Sequence, residues 1–197
     1  MNTVITIEKD DVRYEGMMDL VGKANEDNLL IVAKSENNRK AAIKPLMVLN
    51  GIYFYVANNV DGTLIYRSTY TDEEVEIAKK NTAKNAVIGD MMEVMSGEAK
   101  PLDKWTPSEM GMNILTSRGI LHGAGILLCG EYLAAIRAKV GDYYILPSSV
   151  HEVIIVPKRD APYDINGFAK IVREINADVV SKANFLSDEA FEYRDWV

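Results

Sequence analysis

Cysteine is nearly absent. Cys129 is the only one in 197 residues, so an internal disulfide is excluded. It lies in A-G-I-L-L-C-G, an apolar run where a thiol behaves as a small hydrophobe, and the run supplies no neighbour that would activate a nucleophile. Histidine is almost as scarce, with only His122 and His151. A zincin helix would need a second histidine four positions after His151, where Ile155 stands, and no metal is expected. No run of eighteen apolar residues occurs, so no membrane span is expected. The opening M-N-T-V-I-T-I-E-K-D-D has no basic stretch followed by a long apolar core, so no signal peptide is expected and the cytoplasm is the favoured location.

Positive charge is also short. Lysine and arginine number 22 against 29 acidic residues, a formal charge of −7. That balance works against non-specific attraction to nucleic acid or to an anionic membrane, and neither partner is expected. The densest basic stretch, Lys34, Arg39, Lys40 and Lys44 with Glu36 among them, reads as a solvated helix face. Tyr53, Phe54, Tyr55, Tyr143 and Tyr144 lack the basic neighbours of a base-stacking platform. Phosphate-binding fingerprints are missing too. His122-Gly123-Ala124-Gly125 precedes a predicted strand where a dinucleotide motif should follow one, no Walker lysine-serine pair occurs, and no cofactor is expected.

What remains is an ordinary globular composition, 48% apolar and 26% charged. A chain of this length buries roughly 70% of the surface its unfolded form exposes. Strands are predicted over Val4 to Ile7 and Asn28 to Lys34. Two further pairs, Leu46–Val48 with Ile52–Ala57 and Ile52–Ala57 with Thr63–Ser68, surround Asn50-Gly51 and Asp61-Gly62, the turn residues of tight hairpins. Thr71 with Glu74 three positions on gives a capping box for a helix to about Thr82. Short helices are predicted at Tyr14–Val21, Asn37–Ile43 and Ala86–Met95. The five methionines between Met91 and Met112 suggest either a pliable peptide groove or, as the plainer reading, irregular core. Further on come strands Met112–Thr116 and Gly125–Cys129, a helix Glu131–Val140, and paired strands Tyr143–Leu146 and Glu152–Val156. Asp164 caps a last helix to Ala177 with Phe168, Ile171, Val172 and Ile175 as its apolar stripe. Asn184 to Trp196 ends as an aromatic strand or strap.

These elements predict an α+β fold, an antiparallel or mixed sheet built from hairpins with helices packed mainly on one face. Residues 1–96 and 111–197 form an N-terminal and a C-terminal α+β block. Residues 97–110 are a linker or a wrapping segment anchored by Trp105, and a single continuous domain is the alternative.

The chemistry concentrates between Tyr143 and Val156. Pro147 interrupts the strands, Ser148 and Ser149 offer hydroxyls, and His151-Glu152 follow. A histidine beside a hydroxyl is the material of a serine-histidine hydrolase, with Ser148, Ser149, His151 and Glu152 as its catalytic set. The G-x-S-x-G setting of a nucleophile elbow is absent, however, and neighbouring His151 and Glu152 face opposite sides of an extended segment. A polar turn mounted on apolar strands suits recognition better. The leading expectation is an interaction domain that binds a protein or peptide through 147–152, ahead of a small hydrolase and of a purely structural subunit. A homo-oligomer is compatible with any of these.

N-I-L-T-S-R at 113–118, G-A-G-I-L-L at 123–128, D-Y-Y-I-L-P-S-S-V-H-E-V-I-I-V-P at 142–157, V-R-E-I-N at 172–176 and L-S-D at 186–188 resemble an uncharacterised conserved bacterial protein family, a domain of unknown function. The likeness extends to the Y-F-Y-V hairpin and the 71–82 helix, and covers most of residues 28–197. It implies an architecture but no activity, and it draws Pro147, Ser148, Ser149, His151, Glu152 and Asn176 forward as binding residues.

Overall fold

Two Asx-Gly dipeptides fold the first sheet. In the computed structural model, which describes residues 5–8, 19, 21–108, 111–119 and 121–196, Asn50 and Gly51 have φ of 52° and 75°, and Asp61 and Gly62 have 49° and 82°. Both central residues are left-handed in each turn, the geometry whose twist matches that of the flanking strands. Strand β3 (Met47–Leu49) thereby turns back on β4 (Ile52–Val60), and β4 on β5 (Thr63–Arg67). With β1 (Ile5–Glu8) beside β5 and β2 (Leu29–Lys34) beside β4, they make one five-stranded antiparallel sheet.

The second sheet is also antiparallel, with the order β10-β8-β9-β7-β6. Its strands are β6 (Ala86–Gly89), β7 (Asn113–Ser117), β8 (Tyr143–Leu146), β9 (Glu152–Pro157) and β10 (Phe191–Glu192). Helices α1 (Asp72–Asn85), α2 (Met91–Ser96), α3 (Gly130–Val140) and α4 (Ile165–Asp178) accompany the sheets. The fold is α+β, in two antiparallel sheets.

The strand period of two divides the side chains between layers. Leu29, Ile31 and Ala33 of β2 and Ile52, Phe54 and Val56 of β4 enter the same buried cluster as Tyr143, Ile145, Val153 and Ile155 of the second sheet. The main core therefore draws on both sheets, with Leu133, Ile136 and Val140 of α3. On the alternate register, Val32, Tyr55, Leu64 and Tyr66 form a second cluster on the first sheet. Leu146 and Val156 turn the other way, to Phe168 and Val172 of α4. Each large apolar side chain fully buried contributes roughly 1.5–3 kcal/mol.

Helix α1 supplies what edge strand β2 lacks. The Ile31 N–H donates to Thr82 Oγ1 (2.9 Å), and the Asn81 amide donates to the Leu29 carbonyl (3.1 Å). Side chains thus replace a missing neighbour strand. The predicted capping box is present: Glu74 N–H donates to Thr71 Oγ1 and Thr71 N–H to Glu74. Asp164 caps α4 as expected, its Oδ1 accepting from Gly167 N–H at 2.8 Å.

Several local expectations fail for identifiable reasons. Ala86–Met95 is not one helix. Residues 86–89 pair with β7, and Asp90 then caps the short α2. Gly125–Cys129 is not a strand either; Gly123–Leu128 form a 3-10 turn wedged between β2 and the second sheet. An apolar run of that length does not itself distinguish a strand from a buried helical turn. In place of the predicted Asn37–Ile43 helix there is a single 3-10 turn at Glu36–Asn38. The basic stretch is no solvated helix face: Lys34 is buried on β2, and Arg39 pairs with Glu36 over the Tyr53 ring. Of the predicted helix at 14–21, all but Asp19 and Val21 lie outside the described residues, as do Val4 of the first strand and residues 109–110 of the 97–110 segment. Within that segment Lys100 exchanges two backbone hydrogen bonds with Ile88, and Trp105 is buried.

Candidate functional site

Hairpin β8–β9 carries the predicted 147–152 turn, and the turn is covered. Pro147, Ser148, Ser149 and Val150 are buried, while His151 and Glu152 are half-buried. The cover is the strap 182–186. Leu186 N–H donates to the Ser148 carbonyl (3.0 Å), Val150 N–H donates to the Asn184 carbonyl (2.8 Å), and Ser149 bridges Phe185. The Ser149 hydroxyl accepts from the His151 N–H at 3.0 Å, a local turn bond.

His151 is oriented from a different side. Its Nδ1 accepts from the His122 backbone N–H at 3.2 Å, and its carbonyl accepts from Thr116 Oγ1 (2.8 Å) and Gly123 N–H (3.0 Å). Nδ1 is therefore the acceptor nitrogen, and in the neutral ring the proton sits on Nε2. His122 has φ of 58° and its ring centroid lies 5.4 Å from that of His151. Gly123 has no room for a side chain, because a Cβ would meet the His151 carbonyl at 2.4 Å. Among the described residues no hydrogen bond joins a Ser148 or Ser149 hydroxyl to the His151 ring, so the pair that serine hydrolysis needs is not assembled. Glu152 is across from Thr116 in the β7–β9 ladder, one residue along from His151.

His122 instead borders a small cleft of about 200 Å³ with Asn59, Thr82, Asn85, Ser117 and Arg118. Its lining holds no carboxylate. The Ser117 hydroxyl is engaged with the Leu121 carbonyl, and Thr82 is spent on β2 and on its own helix.

Asn176, far from His151 in sequence, sits on α4 and is 8% exposed. Its Nδ2 donates to the Ser187 carbonyl and to Asp188 Oδ1, both at 2.8 Å. Asn176 therefore reaches the segment that follows the strap over the 147–150 turn, without touching the turn itself.

The feature that sequence reasoning set aside is the methionine cluster. Met91, Met92 and Met95 on α2 are 57%, 74% and 74% exposed, and Met112 is 51% exposed. They are not core. The β6–β7 register places Gly89 opposite Ile114, which brings the start of α2 to the level of Met112. A helix of six residues, capped by Asp90 and ended by Gly97 at φ 77°, turns one side chain inward, Val94, and leaves its methionines outside. Beside it runs a groove of about 500 Å³ with Val87, Val94, Met95, Ala99 and Pro101 in its walls and Arg118 at its margin. The six residues between Asp90 and Gly97 make fewer than two turns, too few to bury the three methionines among them.

Cys129 is buried, as its apolar surroundings suggested. Burial pushes its thiol up to about 12, and Sγ contacts the Lys79 carbonyl at 3.6 Å. Among the described residues no three His, Cys, Asp or Glu side chains converge as metal ligands, and no helix is long and apolar enough to cross a membrane.

In comparisons with known proteins, the model of a family of unknown function, DUF5688, matches residues 60–195. No curated protein and no solved structure matches.

Proposed function

The chain belongs to the DUF5688 family of unknown function, and on that premise we propose that it is a protein-interaction domain whose contact surface is the methionine face of α2 and the groove beside it. The observation that carries this reading is the exposure of Met91, Met92 and Met95 on one short helix, with Met95 lining the groove beside it. Large exposed apolar patches mark interaction surfaces, and the flexible, polarisable methionine side chain suits a surface that must fit a partner's ridges.

The flanking charges select the partner. Asp90, Glu93 and Glu98 border α2 against Lys100, which is already paired with Glu93 at 3.0 Å, and Arg118 on the groove. A second copy would bring the same carboxylates into contact, so a homo-oligomer through this face is disfavoured. An amphipathic helix with an apolar stripe and basic flanks fits. A cytoplasmic location belongs to the same proposal.

Selection from a library of helical peptides tests it. Selected sequences are expected to combine an apolar i, i+3, i+4, i+7 stripe with lysine or arginine, and the double substitution Met92→Glu with Met95→Glu should weaken them by at least about tenfold. Both side chains are solvent-facing, so the double variant retains its fold. Selected peptides that bind this variant as tightly as the native chain contradict the proposal.

A further inference from the structure

Sulfur in this chain is withheld at one place and open at another. Cys129, the only cysteine, is buried, and burial keeps its thiol protonated well above neutral pH. Peroxides react with the thiolate, so this group offers them little. A thioether needs no deprotonation, and its access to solvent decides whether it reacts. Met91, Met92 and Met95 all have that access. At about 100° per helical residue their side chains project within a single arc of about 100°, and Val94, the residue α2 turns inward, lies outside it. Met95 also lines the groove, so the cluster reaches from open surface to groove wall.

Three sulfurs on one face concentrate the consequence of oxidation. Each sulfoxide replaces a polarisable apolar surface with a polar S=O acceptor. Against a partner's apolar stripe that oxygen would be buried without a donor, which penalises contact. The fold has no such stake, because the caps at Asp90 and Gly97 and the inward Val94 involve no sulfur.

We propose that α2 is a methionine-oxidation site, at which a hydroperoxide converts Met91, Met92 and Met95 to sulfoxides and thereby releases whatever partner this face holds; the release rests on the interaction reading above. In each step a sulfur lone pair attacks the terminal oxygen of the hydroperoxide. An S–O bond forms and the O–O bond breaks. The proton on the attacked oxygen passes to the departing hydroxide or alkoxide, which leaves as water or alcohol. Sulfur loses two electrons and the peroxide gains them. A dithiol-dependent sulfoxide reductase reverses the change, the dithiol becoming a disulfide and the oxygen leaving as water.

Peptide mapping by mass spectrometry after graded hydrogen peroxide, with binding measured on the same samples of the whole chain, tests the assignment. Sulfoxide should form at Met91, Met92 and Met95, and affinity for a leucine–lysine amphipathic helical peptide should fall at least about tenfold. The urea midpoint should not move, and reductases for both sulfoxide epimers with dithiothreitol should restore binding. In the triple variant Met91→Leu, Met92→Leu and Met95→Leu, affinity before and after peroxide should be equal. The proposal is overturned by α2 methionines that stay unoxidised while Met47 reacts, or by a leucine variant that loses affinity as the native chain does. Undiminished binding by the oxidised native chain overturns the oxidation proposal alone. An untreated chain that binds no basic helix overturns the interaction reading along with it.

Discussion

Gly125 stands so close to Ile31 that a Cβ on it would lie 1.9 Å from the Ile31 carbonyl oxygen and 2.7 Å from the carbonyl carbon. This contact presses the Gly123–Leu128 turn directly onto the backbone of β2 and so locks one sheet to the other. Gly125→Ala cannot be relieved by moving a flexible side chain, because the obstacle is backbone. The expected cost is about 3 kcal/mol or more, at the upper end for overpacking. Gly22→Ala, with nothing within 4 Å, is expected to shift stability by less than about 0.5 kcal/mol. Urea unfolding of the two variants checks the contrast.

Thr71→Ala removes the acceptor for the Glu74 N–H at the start of α1. The loss should be about 1 kcal/mol, the usual worth of an N-cap. Because α1 also completes the edge of β2, hydrogen exchange of the Ile31 amide should quicken in the same variant.

Asn38→Ala deletes the two side-chain bonds that hold the strap at Ala183 and Phe185. A loss of about 1–2 kcal/mol is expected from urea unfolding. Hydrogen exchange should speed at Leu186, whose N–H reaches Ser148 through the same strap, while the β4–β5 hairpin stays protected.

Cys129 is expected to react slowly with thiol reagents in the native protein and rapidly in urea. Burial raises its pKa from 9.0 to about 12 and so withholds the thiolate. Between those values the unfolded chain gives up a proton that the folded chain retains, so rising pH favours unfolding there. The contribution of Cys129 to stability should be constant below about pH 8 and decline above the ordinary thiol value of 9.0. Burial also displaces the Tyr143 and Tyr132 hydroxyls upward, which extends the decline to higher pH. Urea midpoints across this range, compared with Cys129→Ala, measure the thiol's share.

Signals confined to a few neighbouring residues were legible. Asn50-Gly51 and Asp61-Gly62 specify their hairpins by backbone conformation alone, and Thr71 and Asp164 announce helix starts by their own side-chain bonds. Segments whose state depends on distant partners were not. Ala86–Gly89 becomes a strand because β7 lies beside it, and Gly123–Leu128 becomes a 3-10 turn because two backbones crowd its glycines. The same limit applied to the site. Ser148 and Ser149 looked like an open polar turn, and only the strap some 35 positions later covers them. The hydrogen-bond partner of the His151 ring is the His122 backbone and not a serine hydroxyl, a contact made across 29 positions of chain. Exposed methionines have the same composition as buried ones, so the α2 face was visible only once its depth was known.

Methyl NMR of methionine-labelled protein addresses the α2 face most directly. On titration with a leucine–lysine amphipathic helical peptide, the methyl signals of Met91, Met92, Met95 and Met112 should shift together and saturate. Met47, 47% exposed on β3 of the other sheet, should stay in place as an internal reference. A leucine–glutamate helix of the same length should bind at least about tenfold more weakly. Unmoved α2 methyls, or shifts shared equally by Met47, would contradict an interaction surface at α2.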